Sequence, residues 1–512
     1  MRERGRCLFL VAIFILLPVW ATAQANTHTD APHIDGPRVY GARPNHPFLY
    51  RIPATSAKPL RFSAKGLPAG LKLDSATGFI TGTVAKAGSF EVTLLVTSQL
   101  GSATEKFKIV IGDRLALTPP MGWSAWDFLQ SEVSDKDVRA QATAMVSSGL
   151  ADHGYSYINI DDGWEAASEG PRHTNAPARD AEGRILPNDR FPNMSTLTAF
   201  LHAKGLKAGL YTSPGPRTCG RFEGSLGHEQ QDADQYAKWG FDFLKYDLCS
   251  YSVPNANAEA IQKPYAMMGK MLEHEDRDIL FSISNGGGFD VPAWGREVGA
   301  QMWRTGDDLA WGPRGVYSTW DNIASVFQKQ GLAKWAGPGG WNDPDDLVIG
   351  RIAYIPYNDV PPNVHIDRRM PPPLTPDEQL TQMSLWSLLS APLIIGGDLT
   401  TLDSFSLEML TNDEVIGVDQ DPLGKPAAKV SKEGKQSIWV KEMEDGSRTV
   451  GLFNLGEREE TMTLAWSEAG VAGSQGVRDL WKHEELGVYI GELKLQVPPH
   501  GVRLLQLTAR SN

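Results

Sequence analysis

Between residues 117 and 410 the chain repeats one pattern: a short apolar run, a polar and often glycine-rich segment, then apolar residues at helical spacing. Short unbroken apolar runs are what a strand buried on both faces requires. Eight runs qualify, at 119–123, 155–160, 206–211, 241–246, 279–284, 301–304, 334–336 and 393–396. Segments such as 194–204 and 229–239 supply the helical period between them. Eight strand–helix units in about 290 residues predict a (β/α)8 TIM barrel, placed at 117–422.

The pattern changes on both sides. Residues 33–113 hold short strand formers, as in Phe90-Glu91-Val92-Thr93-Leu94, separated by turn residues such as Asp74-Ser75-Ala76-Thr77-Gly78. This predicts a small β-sandwich. The stretch resembles the immunoglobulin-like modules found on secreted bacterial enzymes, and the resemblance implies a module that binds carbohydrate or acts as a spacer, with spacer the preferred reading. Residues 424–509 return to strand patterns, as in Ser437-Ile438-Trp439-Val440, and predict an antiparallel β-domain. The expected fold class is therefore multidomain, a barrel between two β-domains.

The first residues read differently again. Arg2, Arg4 and Arg6 precede the apolar run from Cys7 to Leu17, and Ala21-Thr22-Ala23 forms a small-x-small site. This predicts a signal peptide over 1–23, cleaved after Ala23, and a secreted or periplasmic protein. The run is too short to span a bilayer, and no later one is long and apolar enough. Two cysteines then remain, Cys219 and Cys249. In an oxidising compartment an even pair predicts one disulfide. The net charge of −12 comes with no basic stripe, which argues against a nucleic-acid partner.

Chemistry is concentrated at the strand ends, where a barrel keeps its active site. Asp161 and Asp162 follow the second run, Tyr211 ends the third, and Lys245 and Asp247 close the fourth. Arg304, Asp307 and Asp308 follow the sixth, and Trp341, Asp343 and Asp345 fall in the loop expected after the seventh. A single aspartate there is as readily a helix cap. Five polar strand ends with Trp126, Trp164 and Trp341 nearby describe a polyol pocket, and two carboxylates on neighbouring strands are the minimum for cleaving a glycosidic bond. The rival reading is a hard-cation site on Asp161-Asp162 or Asp343-x-Asp345. It lacks calcium-loop register, so neither a metal nor a cofactor is expected.

Longer motifs connect these ends: Met121-Gly122-Trp123, Ile158-Asn159-Ile160-Asp161-Asp162-Gly163-Trp164, Leu244-Lys245-Tyr246-Asp247-x-Cys249, Trp303-Arg304-Thr305 and Gly339-Gly340-Trp341-Asn342-Asp343-Pro344-Asp345. Together they resemble glycoside hydrolase family 27, the α-galactosidase family. The resemblance implies a retaining exo-glycosidase acting on terminal α-D-galactosyl residues of oligo- or polysaccharides. It implies Asp247 as nucleophile and Asp308, rather than Asp307, as acid/base. Trp126, Asp161, Asp162, Tyr211, Lys245, Arg304 and Asp345 would bind the sugar, and Cys219–Cys249 would match a family disulfide. The chain departs from the family at Ser284, where a glutamate is usual, at Asp346, where an apolar residue is usual, and in an apparent insertion over 352–374. Alternatives are the same mechanism on α-N-acetylgalactosaminides, β-L-arabinopyranosides or an α-glucan, or a non-catalytic carbohydrate-binding protein. Oligomeric state is not predicted.

Overall fold

Trp123, Ile158, Leu244, Ile283, Trp303, Leu393 and Ile395 have essentially no exposure, as expected of strands covered on both faces. They lie in a computed structural model that describes residues 31–167, 177–310, 319–329, 331–354, 367–370, 372–431 and 434–510. Eight parallel strands form one curved sheet: Met121–Ser124, Tyr157–Asn159, Lys207–Thr212, Phe243–Tyr246, Leu280–Ile283, Met302–Arg304, Trp341–Asp343 and Leu393–Ile395. The first strand pairs with the second and the eighth. The ring closes through Leu347, whose N–H donates to the Ile394 carbonyl at 2.6 Å and whose carbonyl accepts from Gly396 at 2.9 Å.

The seventh strand corrects the sequence reading. Residues 334–336 were expected as strand; Lys334 and Trp335 instead lie in a single 3-10 turn, Ala333–Trp335, and Trp341–Asp343 is the strand. Its polar members are paired inside the fold: Trp303 Nε1 donates to Asn342 Oδ1 and Trp341 Nε1 to the Ala116 carbonyl. An apolar run was therefore unnecessary. Trp341 and Asp343 belong to the strand rather than to the loop beyond it.

Helix ends carry readable signals. Ser134 and Asn193 cap Asp135–Ser147 and Met194–His202 with their side chains. Glu229–Trp239 stops at Gly240, whose φ of 95° is the left-handed closure that frees the chain to enter the fourth strand. Gly209 is required by contact, since a Cβ there would lie 1.9 Å from Asn159 Oδ1.

On the N-terminal side, a four-stranded sheet including Gly88–Ser98 and Gly101–Ile111 faces a three-stranded sheet of Phe48–Arg51, Leu71–Leu73 and Phe79–Gly82. Ile80, Val92, Val96 and Ile109 fill its own core. On the C-terminal side lie a six-stranded and a two-stranded sheet, around Val450, Leu452, Met462 and Leu464. Residues 352–354 and 367–370 pair as antiparallel strands within the expected insertion. Tyr357, Pro361, Pro362, His365 and Pro371 lie outside the described residues, as does the segment 1–23.

Candidate active site

The fourth strand ends in alternation: Lys245 and Asp247 emerge on the lumen side while Tyr246 is buried in the wall. Asp247 is half-buried and its carboxylate is held at both oxygens. Oδ1 accepts the Leu248 N–H at 2.9 Å, and Oδ2 accepts the Tyr211 hydroxyl at 2.9 Å. Tyr211 is the penultimate residue of the neighbouring third strand, paired with Lys245 in register. Lys245 Nζ in turn reaches Asp161 Oδ2 at 2.8 Å from the second strand end. Burial pushes the Asp247 carboxyl up to about 6, against the pull of Lys245 and the Leu248 N–H.

Asp162 follows Asp161 and donates its own N–H to the Asp161 carboxylate at 2.8 Å. Its Oδ2 accepts the Gly220 N–H at 2.5 Å, from the loop that carries Cys219. Burial pushes Asp162 up to about 7, opposed by hydrogen bonds from Thr218 and Gly220. Cys219 and Cys249 form a disulfide with Cα atoms 5.0 Å apart. Sγ of Cys219 lies 3.4 Å from Asp247 Oδ2. A bridged sulfur has no proton to donate, so this is a packing contact.

Opposite, Arg304 ends the sixth strand with 3% exposure. Its Nη1 is shared between Asp308 Oδ1 at 3.0 Å and Asp345 Oδ1 at 2.9 Å. Nη2 donates to the Gly306 carbonyl. Partial desolvation pushes the half-exposed Asp308 up, but the charges of Arg304 and Lys245 and the Arg304 hydrogen bond outweigh it and hold the carboxyl below the usual carboxylate range. Asp345 accepts the Leu309 N–H at 2.7 Å, and its φ of 113° is unusual for a side-chain-bearing residue. Burial pushes it up to about 6. Strained backbone of this kind clusters at functional sites.

Asp161, Lys245, Arg304 and Asp345 also border a small space inside the barrel, together with Ser124, Phe243, Ser282, Ser284, Met302 and Asp346; Asp162, Tyr211, Asp247 and Asp308 are not among its lining residues. A larger cleft lies between the N-terminal sandwich and the barrel, away from these carboxylates. Trp126 opens the short helix directly after the first strand and is half-buried. Strand-end reading located the charged groups. It missed the backbone donors at Gly220, Leu248 and Leu309, which have no side-chain signature. The Gly after Cys219 was the one hint: a Cβ on Gly220 would lie 2.9 Å from Asp162 Oδ2.

A barrel whose strand ends gather carboxylates in this way defines a class, the barrel glycoside hydrolases. Comparison with known proteins narrows it. The family model "Alpha galactosidase A" matches residues 118–359 and 371–421, "Alpha galactosidase C-terminal beta sandwich domain" matches 433–507, and "Putative Ig domain" matches 31–112. The chain is 36% identical to the α-galactosidase of Cyamopsis tetragonoloba over 78% of its length and 88% of the relative's. A Bacteroides fragilis NCTC 9343 structure described as a "putative alpha-galactosidase/melibiase" superposes with a TM-score of 0.83 at 32% identity, covering 93% of this chain and 98% of the other. A β-L-arabinopyranosidase of Geobacillus stearothermophilus gives a TM-score of 0.66 at 26% identity, covering 77% of this chain and 97% of that one. The chain belongs to the α-galactosidase family, glycoside hydrolase family 27.

Proposed function

We propose that the protein removes terminal α-D-galactosyl residues from oligo- or polysaccharides by double displacement with net retention. The observation that carries this is the fixed Asp247 carboxylate, gripped by Tyr211 and Leu248, across from Asp308 on Arg304. Asp247 attacks the anomeric carbon. Asp308 protonates the leaving oxygen, then takes a proton from the water that releases the sugar. Lys245, Arg304 and Asp345 bind hydroxyls and balance the charge, Asp161 and Asp162 grip the 4- and 6-hydroxyls, and Trp126 and Tyr211 complete the wall. The names of the relatives support the galactosyl preference, as does Asp162, which is short enough to leave room for a hydroxymethyl group.

The test separates the two carboxylates. Asp247→Ala abolishes turnover of every glycoside. Asp308→Ala loses activity on sugar leaving groups and retains more of it on an activated nitrophenyl leaving group, which needs little protonation. NMR of the first-formed sugar shows the α-anomer. Full activity in Asp247→Ala, or a β-anomer first, refutes the assignment.

One observation favours a second substrate. Ser284 is small where the family usually carries a glutamate, which leaves more room at that strand end for a 2-acetamido group. Comparing kcat/KM for nitrophenyl α-galactoside and α-N-acetylgalactosaminide decides between them. The N-terminal segment supports export with cleavage after Ala23. N-terminal sequencing of the exported protein then starts at Gln24.

A further inference from the structure

The loop 285–290 follows the fifth strand and leans on the segment that carries Asp308. A Cβ on Gly287 would lie 2.5 Å from the Thr305 carbonyl carbon, and one on Gly286 would lie 3.1 Å from Asp307 Oδ1. The glycines at 286 and 287 are what let this backbone seat on residues 305–307. Two residues beyond that contact, Phe289 and Asp290 adopt left-handed backbone, with φ of 57° and 55°. Bulky residues rarely do so, and such strain persists only where the surroundings hold it. Here Trp294 Nε1 donates to the Phe289 carbonyl at 2.8 Å and Asn285 Nδ2 to the Gly288 carbonyl at 2.9 Å. Trp294 is buried, so the Phe289 carbonyl faces the barrel wall. The residue is 39% exposed.

A single exposed phenyl means little by itself. Its position gives it meaning. If Asp308 protonates the glycosidic oxygen, that oxygen lies within hydrogen-bond reach of Asp308, and the leaving group extends from it past the adjoining loops. The Asp308 side chain is 57% exposed and opens towards solvent. The loop resting on residues 305–307 therefore flanks the leaving group. Sugar C–H groups carry slight positive charge and pack against the negative face of an aromatic ring.

We propose that Phe289 forms a leaving-group subsite, its ring packing against the sugar attached to the glycosidic oxygen. This rests on the reaction proposed above, and the experiment keeps the two apart. kcat/KM is measured for raffinose and for methyl α-galactoside, which share a glycone and differ in leaving group. Phe289→Ala lowers the raffinose-to-methyl ratio by about fivefold, and Phe289→Tyr, which keeps a ring face, restores most of it. A ratio unchanged within about twofold in Phe289→Ala, with folding verified by circular dichroism, overturns the proposal. So does an equal fall on both substrates, which would mean that the residue only supports the loop. Failure of the wild type to hydrolyse either galactoside would instead refute the galactosyl reading. The same leaving-group pair on the glycone it accepts then carries the test of Phe289.

Discussion

Asp247 and Asp308 sit in opposite surroundings: burial lifts the first to about 6, while Arg304 and Lys245 hold the second below its ordinary range. If the two act as proposed, turnover needs one proton on the pair, and interacting carboxylates release their protons as a pair. Between the two values that proton rests mainly on Asp247, so the productive arrangement, with Asp308 protonated and Asp247 ionised, is the minor form of the singly protonated pair. kcat/KM should therefore peak on the acid side of pH 6 and fall as pH rises through about 6. A maximum at pH 7.5 or above would contradict this. Asp346 makes a second prediction. Burial, with Asp345 and Asp127 nearby, pushes its carboxyl well above the usual range, and no side-chain hydrogen bond to it is found among the described residues. A carboxyl with a raised folded pKa is most favourable to stability below its unfolded value near 4, and that benefit is lost as pH rises. Asp346→Asn should raise Tm at pH 7 by a few degrees, with the gain shrinking towards pH 4. An equal gain at both values would show that charge is not the cause. Such an acid was visible in the sequence only as a departure from the family. Its neighbour Asp345 was visible beside it; Asp127, brought in from the helix after the first strand, was not.

Elements were legible where their chemistry was local. Seven of the barrel strands coincide with short apolar runs, because each is buried on both faces. The seventh was misplaced because Trp341-Asn342-Asp343 satisfies its polar groups through Trp303, Leu332 and Ala116, partners far away in sequence. The disulfide joins the loops after the third and fourth strands, closing a separation of 30 residues. A loop of that size is worth about 3–4 kcal/mol in the chain-entropy picture. The same bridge positions chemistry, since Gly220 beside Cys219 donates to Asp162, and Asp247 lies two residues before Cys249. Cys219→Ser/Cys249→Ser should therefore lower both Tm and kcat/KM, with KM rising as the Asp162 contact loosens. A variant that loses stability with unchanged kinetics at low temperature would show that the bridge only restrains the unfolded chain.

The two flanking β-domains relate to the barrel differently. The C-terminal domain shares its core: Trp439, Phe453 and Leu504 belong to one apolar cluster with the barrel helices, and Phe453 meets Phe327 at 4.9 Å. Lys441 crosses the boundary fully buried, to the Ser387 carbonyl and Ser390 Oγ. The N-terminal sandwich has a separate core and joins mainly by polar contacts. Arg51 pairs with Asp152 at 2.6 Å, His46 with Asp278 at 2.8 Å, and Tyr40 meets Lys207. Asp278 and Lys207 stand at the N-terminal ends of the fifth and third strands, the face opposite the carboxylates. Deleting residues 31–113 should leave kcat/KM on a nitrophenyl glycoside within about twofold, because distant sites act independently. It should lower Tm by a few degrees as Leu115, Leu117 and Met121 around the interdomain cleft become exposed. Deleting residues 424–510 should yield insoluble protein, since it opens the barrel's own core. A large loss of kcat/KM on the small glycoside after the first deletion would mean that the sandwich reaches the catalytic face through the fold. Loss confined to polymeric substrate would instead give the sandwich a carbohydrate-binding role, against its reading as a spacer.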